Sequence, residues 1–169
     1  VGVESVLEKI EKNPRFMSNV TFRHTIPAQE GAYEPIPPFL PDKLQELLMQ
    51  KGITKLYSHQ AAALNGVREG RDIVVVTPTA SGKTLCYNLP VTQALLDDEE
   101  ARALYLFPTK ALAQDQVAEL MEWSDKLGGK IKTYTYDGDT PGDARIAIRA
   151  AGSIVVTNPD MLHSGILPH

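Results

Sequence analysis

A chain of 169 residues is long enough to bury one core without disulfides or structural metal, because length divided by about 150 sets a prior of one domain. With 43% hydrophobic and 22% charged residues, and no apolar run near the roughly 20 residues of a bilayer span, the composition excludes disordered, collagenous and helical membrane chains. The formal net charge of −4 advertises no whole-chain polyanion binder, and one cysteine, Cys86, with four scattered histidines excludes an internal disulfide and a Cys/His zinc spacing.

The first residues, Val1-Gly2-Val3-Glu4-Ser5, lack a basic stretch followed by an apolar core, so a cytoplasmic location, in a bacterial cytosol or nucleoid, is expected. Residues 1–41 hold six of the twelve prolines and read as an accessory arm, with residues 42–169 as one α/β domain. In the arm, Val3, Val6, Leu7 and Ile10 recur at helical spacing and stop before Asn13-Pro14. Val20 to Ile26 predicts a strand, and Pro35 to Pro41 predicts an extended run across a surface. From Asp42 the pattern is regular. Asp42 caps a helix carrying Leu44, Leu47 and Leu48 that ends near Gly52, and Ser58 caps a second that runs to about Arg68.

Ile73-Val74-Val75-Val76 is β-branched throughout, which predicts a strand buried on both faces in a parallel sheet. Similar runs follow at Ala103 to Phe107, Ile131 to Tyr136 and Ser153 to Val156, separated by helical patterns over Lys83 to Leu96, Leu112 to Leu127 and Pro141 to Ala150. This alternation implies an α/β fold with a parallel sheet flanked by helices. Thr140 is the expected cap of the last helix, and Pro90 predicts a kink inside the first.

The strongest chemical signal is Thr77-Pro78-Thr79-Ala80-Ser81-Gly82-Lys83-Thr84, between the Ile73 run and an apolar-periodic helix. Small residues there let backbone N–H groups curl round an anion at a helix N-terminus, where the macrodipole is positive. Lys83 would reach the β and γ phosphates of a nucleotide, and the Thr84 hydroxyl would complete the coordination of Mg2+ held through that nucleotide. Thr77 stands where the strict phosphate-loop pattern has its first glycine. That substitution favours nucleotidases with a wider loop over small kinases.

The loop is followed by Leu89-Pro90 and by Phe107-Pro108-Thr109-Lys110-Ala111-Leu112-Ala113-Gln114-Asp115-Gln116. Together these resemble motifs I and Ia of the superfamily-two DEAD/DEAH-box helicases. Upstream, Leu56-Tyr57-Ser58-His59-Gln60 is similar to their adenine-recognising glutamine motif. Downstream, Tyr136-Asp137-Gly138-Asp139-Thr140 and Thr157-Asn158-Pro159-Asp160-Met161-Leu162 resemble motif Ib and its neighbour. The wording is close to the branch that contains mitomycin repair factor A and the RecQ-four-like helicases.

The resemblance implies a RecA-like lobe that binds ATP and Mg2+. It implies that Tyr57 and Gln60 meet the adenine, whose N6/N7 edge an amide can read with one donor and one acceptor. Pro78, Thr79, Ala80, Ser81, Gly82, Lys83 and Thr84 would hold the phosphates, with Lys83 and Thr84 as the catalytic pair. Pro108, Thr109, Lys110, Gly138, Thr157, Asn158 and Pro159 would line a path for single-stranded DNA, whose phosphates such donors position without reading sequence. Where many members have Thr-Pro-Gly-Arg this sequence has Thr-Asn-Pro-Asp, so one arginine contact is missing. Asp137 and Asp139 flank a glycine and are expected in turn and cap roles. Cys86 reads as a small buried apolar residue.

The family's Asp-Glu motif, which holds Mg2+ and activates water, is not written after any apolar strand here; Asp98-Glu99 follows a helical segment. The expectation is therefore an amino-terminal part of a DNA helicase, lacking the rest of its first lobe and the second, that binds nucleotide without turning it over. By the same analogy Ile73 to Val76 would be exposed along an edge, which favours self-association. Two alternatives stand beside this reading: a small phosphate-loop kinase or ATPase, and a non-catalytic module that binds single-stranded nucleic acid.

Overall fold

The computed structural model describes residues 2–27, 30–78 and 81–168. Its chain divides into two compact units, Val1–Gly31 and Ala32–His169. In the first unit, α1 (Val3–Glu11) carries Val3, Val6, Leu7 and Ile10 at the expected spacing, and α2 (Pro14–Met17) opens on a proline capped by Asn13, whose side chain accepts from Arg15 N. Val20 to Ile26 is not a strand, since no described segment pairs with it and Phe22 and Ile26 are each 80% exposed. A lone extended segment has nowhere to place its backbone donors except water.

The second unit begins with β1 (Tyr33–Pro35), paired antiparallel with β2 (Lys55–Tyr57), so that Tyr33 faces Tyr57 and Pro35 faces Lys55. The proline-rich run does not stay extended after β1. Leu40 N donates to Pro37 O, and the turn buries Leu40 while Phe39 lies beneath the Arg68 guanidinium. Residues Ala32 to Leu40 therefore belong with the second unit, because apolar side chains between the prolines find a core to enter.

Helices α3 (Asp42–Gln50) and α4 (Ser58–Arg68) lie where the periodicity places them, each starting on the residue expected to cap it. Asp42 and Ser58 are first-turn residues, and Pro41 and Tyr57 hold the cap positions. Leu44, Leu47 and Leu48 are buried together with Leu56 and Leu64, forming one end of the core.

The main sheet has three parallel strands, β3 (Ala103–Leu106), β4 (Thr133–Thr135) and β5 (Ile154–Thr157), in the order β3-β5-β4. Ala103 and Thr133 both register with Ile154. β5 is thus the central strand, and Ile154 and Val156 are fully buried. Around it pack Leu89 of α5 (Thr84–Asp97) and Leu120 and Trp123 of α6 (Lys110–Lys126). α7 (Gly142–Ala151) returns the chain to β5. It starts at Gly142 with Pro141 in the cap position, because the Thr140 hydroxyl is occupied one turn earlier, accepting from Asp137 N. α5 runs unbroken through Pro90, its buried Leu89, Thr92 and Leu95 holding it against the core where one helical hydrogen bond is lost.

Ile73 to Val76 is the main departure. The run joins no sheet, and Val74 and Val76 are 88% and 89% exposed. A β-branched run becomes a strand only beside a strand that takes its backbone hydrogen bonds, and none of the described strands does so. Ile73 instead packs on α4, where Gly66 leaves room: a Cβ there would stand 2.5 Å from Ile73 Cδ1.

Candidate nucleotide and nucleic-acid sites

The loop ahead of α5 is stapled to the start of α4. His59 Nε2 lies 2.9 Å from Ser81 O, and Gln60 Nε2 donates to Gly82 O at 2.7 Å. Gln60 Oε1 accepts from Tyr57 N at 2.8 Å, and the side chain is 3% exposed. Gln60 therefore ties two backbones together, with one N–H and one lone pair left over. Gly82 sits at φ +70°, and a Cβ there would stand 2.6 Å from Gln60 Nε2, so both conformation and space require glycine.

Lys83 folds back over the loop. Its Nζ donates to Pro78 O at 2.7 Å and Thr77 O at 2.9 Å, and reaches the hydroxyls of Thr77 and Ser81 at 3.3 Å. All four are neutral oxygens; among the described residues the ammonium has no carboxylate partner. It stands at the cap position of the 14-residue α5, whose first turn holds no acid. Thr84, half-buried, opens that helix. Thr79 and Ala80 lie outside the described residues.

Two side-chain bridges hold α5 against its neighbours. Tyr105 on β3 donates to Asn88 Oδ1 at 2.9 Å, and Tyr87 donates to Gln116 on α6 at 3.0 Å. Burial pushes the hydroxyls of both tyrosines to ionise above their usual range. Burial likewise raises the Cys86 thiol, which stays protonated as the apolar reading expects. Tyr57 stacks between Tyr33, at 4.8 Å between ring centroids, and His59, at 5.5 Å. Tyr33 carries no sequence signal for this place; only the β1-β2 register brings it there.

The second candidate site lies at the C-terminal ends of the three strands. It brings together Thr109 and Lys110 after β3, the Asp137 loop after β4, and Thr157 and Asn158 at the end of β5. Pro108, Gly138 and Pro159 are exposed around it. Thr109 caps α6 by accepting from Leu112 N at 3.3 Å. Asn158 caps the short helix α8 (Pro159–Met161), accepting from Met161 N at 2.8 Å. Thr157 is 2% exposed and its hydroxyl donates to Tyr136 O, so it braces β5 to the chain beyond β4.

Arg145 and Arg149 on α7 were not legible as site residues. Arg145 Nε donates to Thr140 O at 2.9 Å and Nη2 to Asp137 O at 3.1 Å, clamping the loop from behind. Arg149 donates to the Tyr136 hydroxyl at 2.8 Å, and both guanidinium groups lie over that ring. Their four-residue spacing puts them on one helix face, but what they grip is set by the fold.

A family description of DEAD/DEAH box helicases matches residues 57–169. The chain is 56% identical over 151 residues to the uncharacterised ATP-dependent helicase YprA of Bacillus subtilis, covering 89% of this chain and 20% of that protein. It is 37% identical over 173 residues to the ATP-dependent helicase hrq1 of Schizosaccharomyces pombe, covering 99% of this chain and 16% of that one. The crystal structure of the DUF1998 helicase MrfA bound to DNA and AMPPNP superposes with a TM-score of 0.88 at 50% identity, over 100% of this chain and 23% of that chain. The chain thus spans about a fifth of the length of the curated relatives it matches.

Proposed function

The chain belongs to the DEAD/DEAH box helicase family and has a RecA-like α/β fold, and we propose that it carries an ATP site at the start of α5 and a single-stranded nucleic-acid path along the strand ends. One observation carries the first part. A lysine ammonium satisfied only by neutral oxygens, at the N-terminus of a long helix without a first-turn acid, is arranged for an anion. Lys83 would exchange Thr77 O and Pro78 O for the β and γ phosphate oxygens. Gly82 would let the backbone approach them, and Pro78 and Ser81 would flank the phosphates; Thr79 and Ala80 are assigned to the loop by the motif alone.

Gln60 holds that cradle through Gly82, and its remaining N–H and lone pair are the groups that would read adenine beside the Tyr57 ring. When bound, ATP would supply the phosphoryl group and Mg2+ the charge that polarises it. The Thr84 hydroxyl would be the chain's ligand to Mg2+ that arrives with the nucleotide.

Along the strand ends, Lys110, the Asn158 amide N–H groups and the exposed backbone at Pro108, Gly138 and Pro159 would contact phosphates, with Thr109 and Thr157 positioning them. In a protein of the relatives' length these sites would serve ATP-dependent DNA unwinding, including in repair. The 169-residue chain by itself would bind ATP without appreciable turnover, because no Asp-Glu pair directly follows any of the described strands.

Titration with a fluorescent, non-hydrolysable ATP analogue tests the reading. Wild type binds, and Lys83→Ala weakens binding by roughly 10- to 100-fold, the range for losing one or two charge-assisted hydrogen bonds. Gln60→Ala weakens it as well. Binding indifferent to Lys83→Ala would refute the assignment. Oligonucleotide binding without ATP binding would favour a non-catalytic nucleic-acid module.

A further inference from the structure

The strand-end site carries an internal competitor for its own cation. Lys110 faces two carboxylates, Asp137 at 3.9 Å and Asp139 in direct contact. The two acids differ in environment. Asp137 Oδ1 accepts from Asp139 N at 3.0 Å and from the Thr140 hydroxyl at 3.2 Å, and its side chain is 19% exposed, so it is built into the turn. The Asp139 carboxylate is 82% exposed, and among the described residues its partner is Lys110 alone. Arg145 holds the loop backbone on either side of it. The loop is therefore fixed while the Asp139 side chain is free to swing.

We propose that Asp139 is an electrostatic gate on the nucleic-acid path: it occupies Lys110 until a strand phosphate displaces it, exchanging the Lys110–Asp139 pair for a Lys110–phosphate pair. This rests on the strand-end reading above. An exposed ion pair is weak enough to be opened by a polyanion that brings several phosphates at once. An isolated anion brings one, and leaves Asp139 repelling it at short range. The gate thus favours an extended strand over a free anion at this position. Each partner stabilises the other's charge, holding the Asp139 carboxyl below its ordinary range and raising the Lys110 ammonium, so both are ionised at neutral pH.

The test is fluorescence anisotropy of the full 169-residue chain with a labelled single-stranded oligonucleotide at two salt concentrations. Asp139→Asn is close to isosteric and exposed, so the fold is retained. It is expected to bind about 1.5- to fivefold tighter than wild type. Its salt dependence should be steeper, because wild-type binding liberates an Asp139 carboxylate that takes up a cation. In a Lys110→Ala background the same substitution should bring no gain. Glu100→Gln, which removes one negative charge before β3, at the other end of that strand, should also bring none. An equal gain in both Lys110 backgrounds would overturn the gate, reducing it to a net-charge effect. So would an unchanged Asp139→Asn affinity in a protein that Lys110→Ala weakens. If neither wild type nor Asp139→Asn binds the oligonucleotide, the strand-end reading itself fails and the gate falls with it.

Discussion

Gly82 is where conformation, space and chemistry meet in one residue. An alanine there would be strained by its positive φ and would press on the Gln60 amide, at a cost of about 1–3 kcal/mol. Gly82→Ala is therefore expected to lower ATP-analogue affinity sharply, with only a modest fall in melting temperature, because the strain falls on the loop and not on the core. An affinity equal to wild type would show that the Gln60–Gly82 contact does not shape the site. Cys86 gives a second prediction. Burial keeps its thiol protonated above the ordinary range, so the native chain should resist alkylation at pH 8 and react on unfolding, as read by mass spectrometry. The sign of the linkage follows: the folded state holds this proton more tightly than the unfolded chain, so the thiol's contribution is complete below the unfolded value near 8.5. It is lost as pH rises through the higher folded one. Fast alkylation of the native protein would contradict this. The contiguous residues Ser81 to Thr84 are legible because a phosphate loop is local in sequence. Tyr33, Arg145 and the partner of Asp139 are not, because each acts on a residue that only folding makes its neighbour.

Among the elements, α5 connects the loop to the sheet and to α6. Its bridges are the Tyr105–Asn88 and Tyr87–Gln116 hydrogen bonds, and Asn88 is fully buried with its Nδ2 unpartnered among the described residues. Tyr105→Phe would leave the Asn88 carbonyl unpartnered too, and should destabilise the protein by about 1–3 kcal/mol in denaturant unfolding. Nucleotide affinity should change little, since Gly82 and Lys83 lie more than one helical turn before Asn88. A stability equal to wild type would mean that water replaces the hydroxyl. Helix positions are well read from sequence, with α3, α4, α5 and α7 within a residue or two of their expected ranges, because a 3.6-residue apolar period needs only one face to be buried. The caps are read less well. Thr140 and Ser58 are suitable cap residues, but the Asp137 turn and the Gln60 side chain take over those bonds.

At the scale of the whole molecule, the exposed Val74 and Val76 are the feature with a physical consequence in solution. Unpaired β-branched backbone with apolar side chains invites strand pairing. We expect concentration-dependent self-association of the 169-residue chain in sedimentation velocity, reduced by the double substitution Val74→Lys and Val76→Lys. A monomer at all concentrations would refute it. The sequence alone determined the alternation of helices and strands, the phosphate loop and its lysine, and the family motifs, because each depends on spacing within a short stretch. Tertiary structure alone decided that Ile73 to Val76 stays outside the sheet, that Gln60 is a buried strap between two backbones, and that Lys110 is matched to Asp139. A strand exists only where another strand meets its hydrogen bonds, and a side chain's role depends on which distant groups the fold brings within about 3 Å.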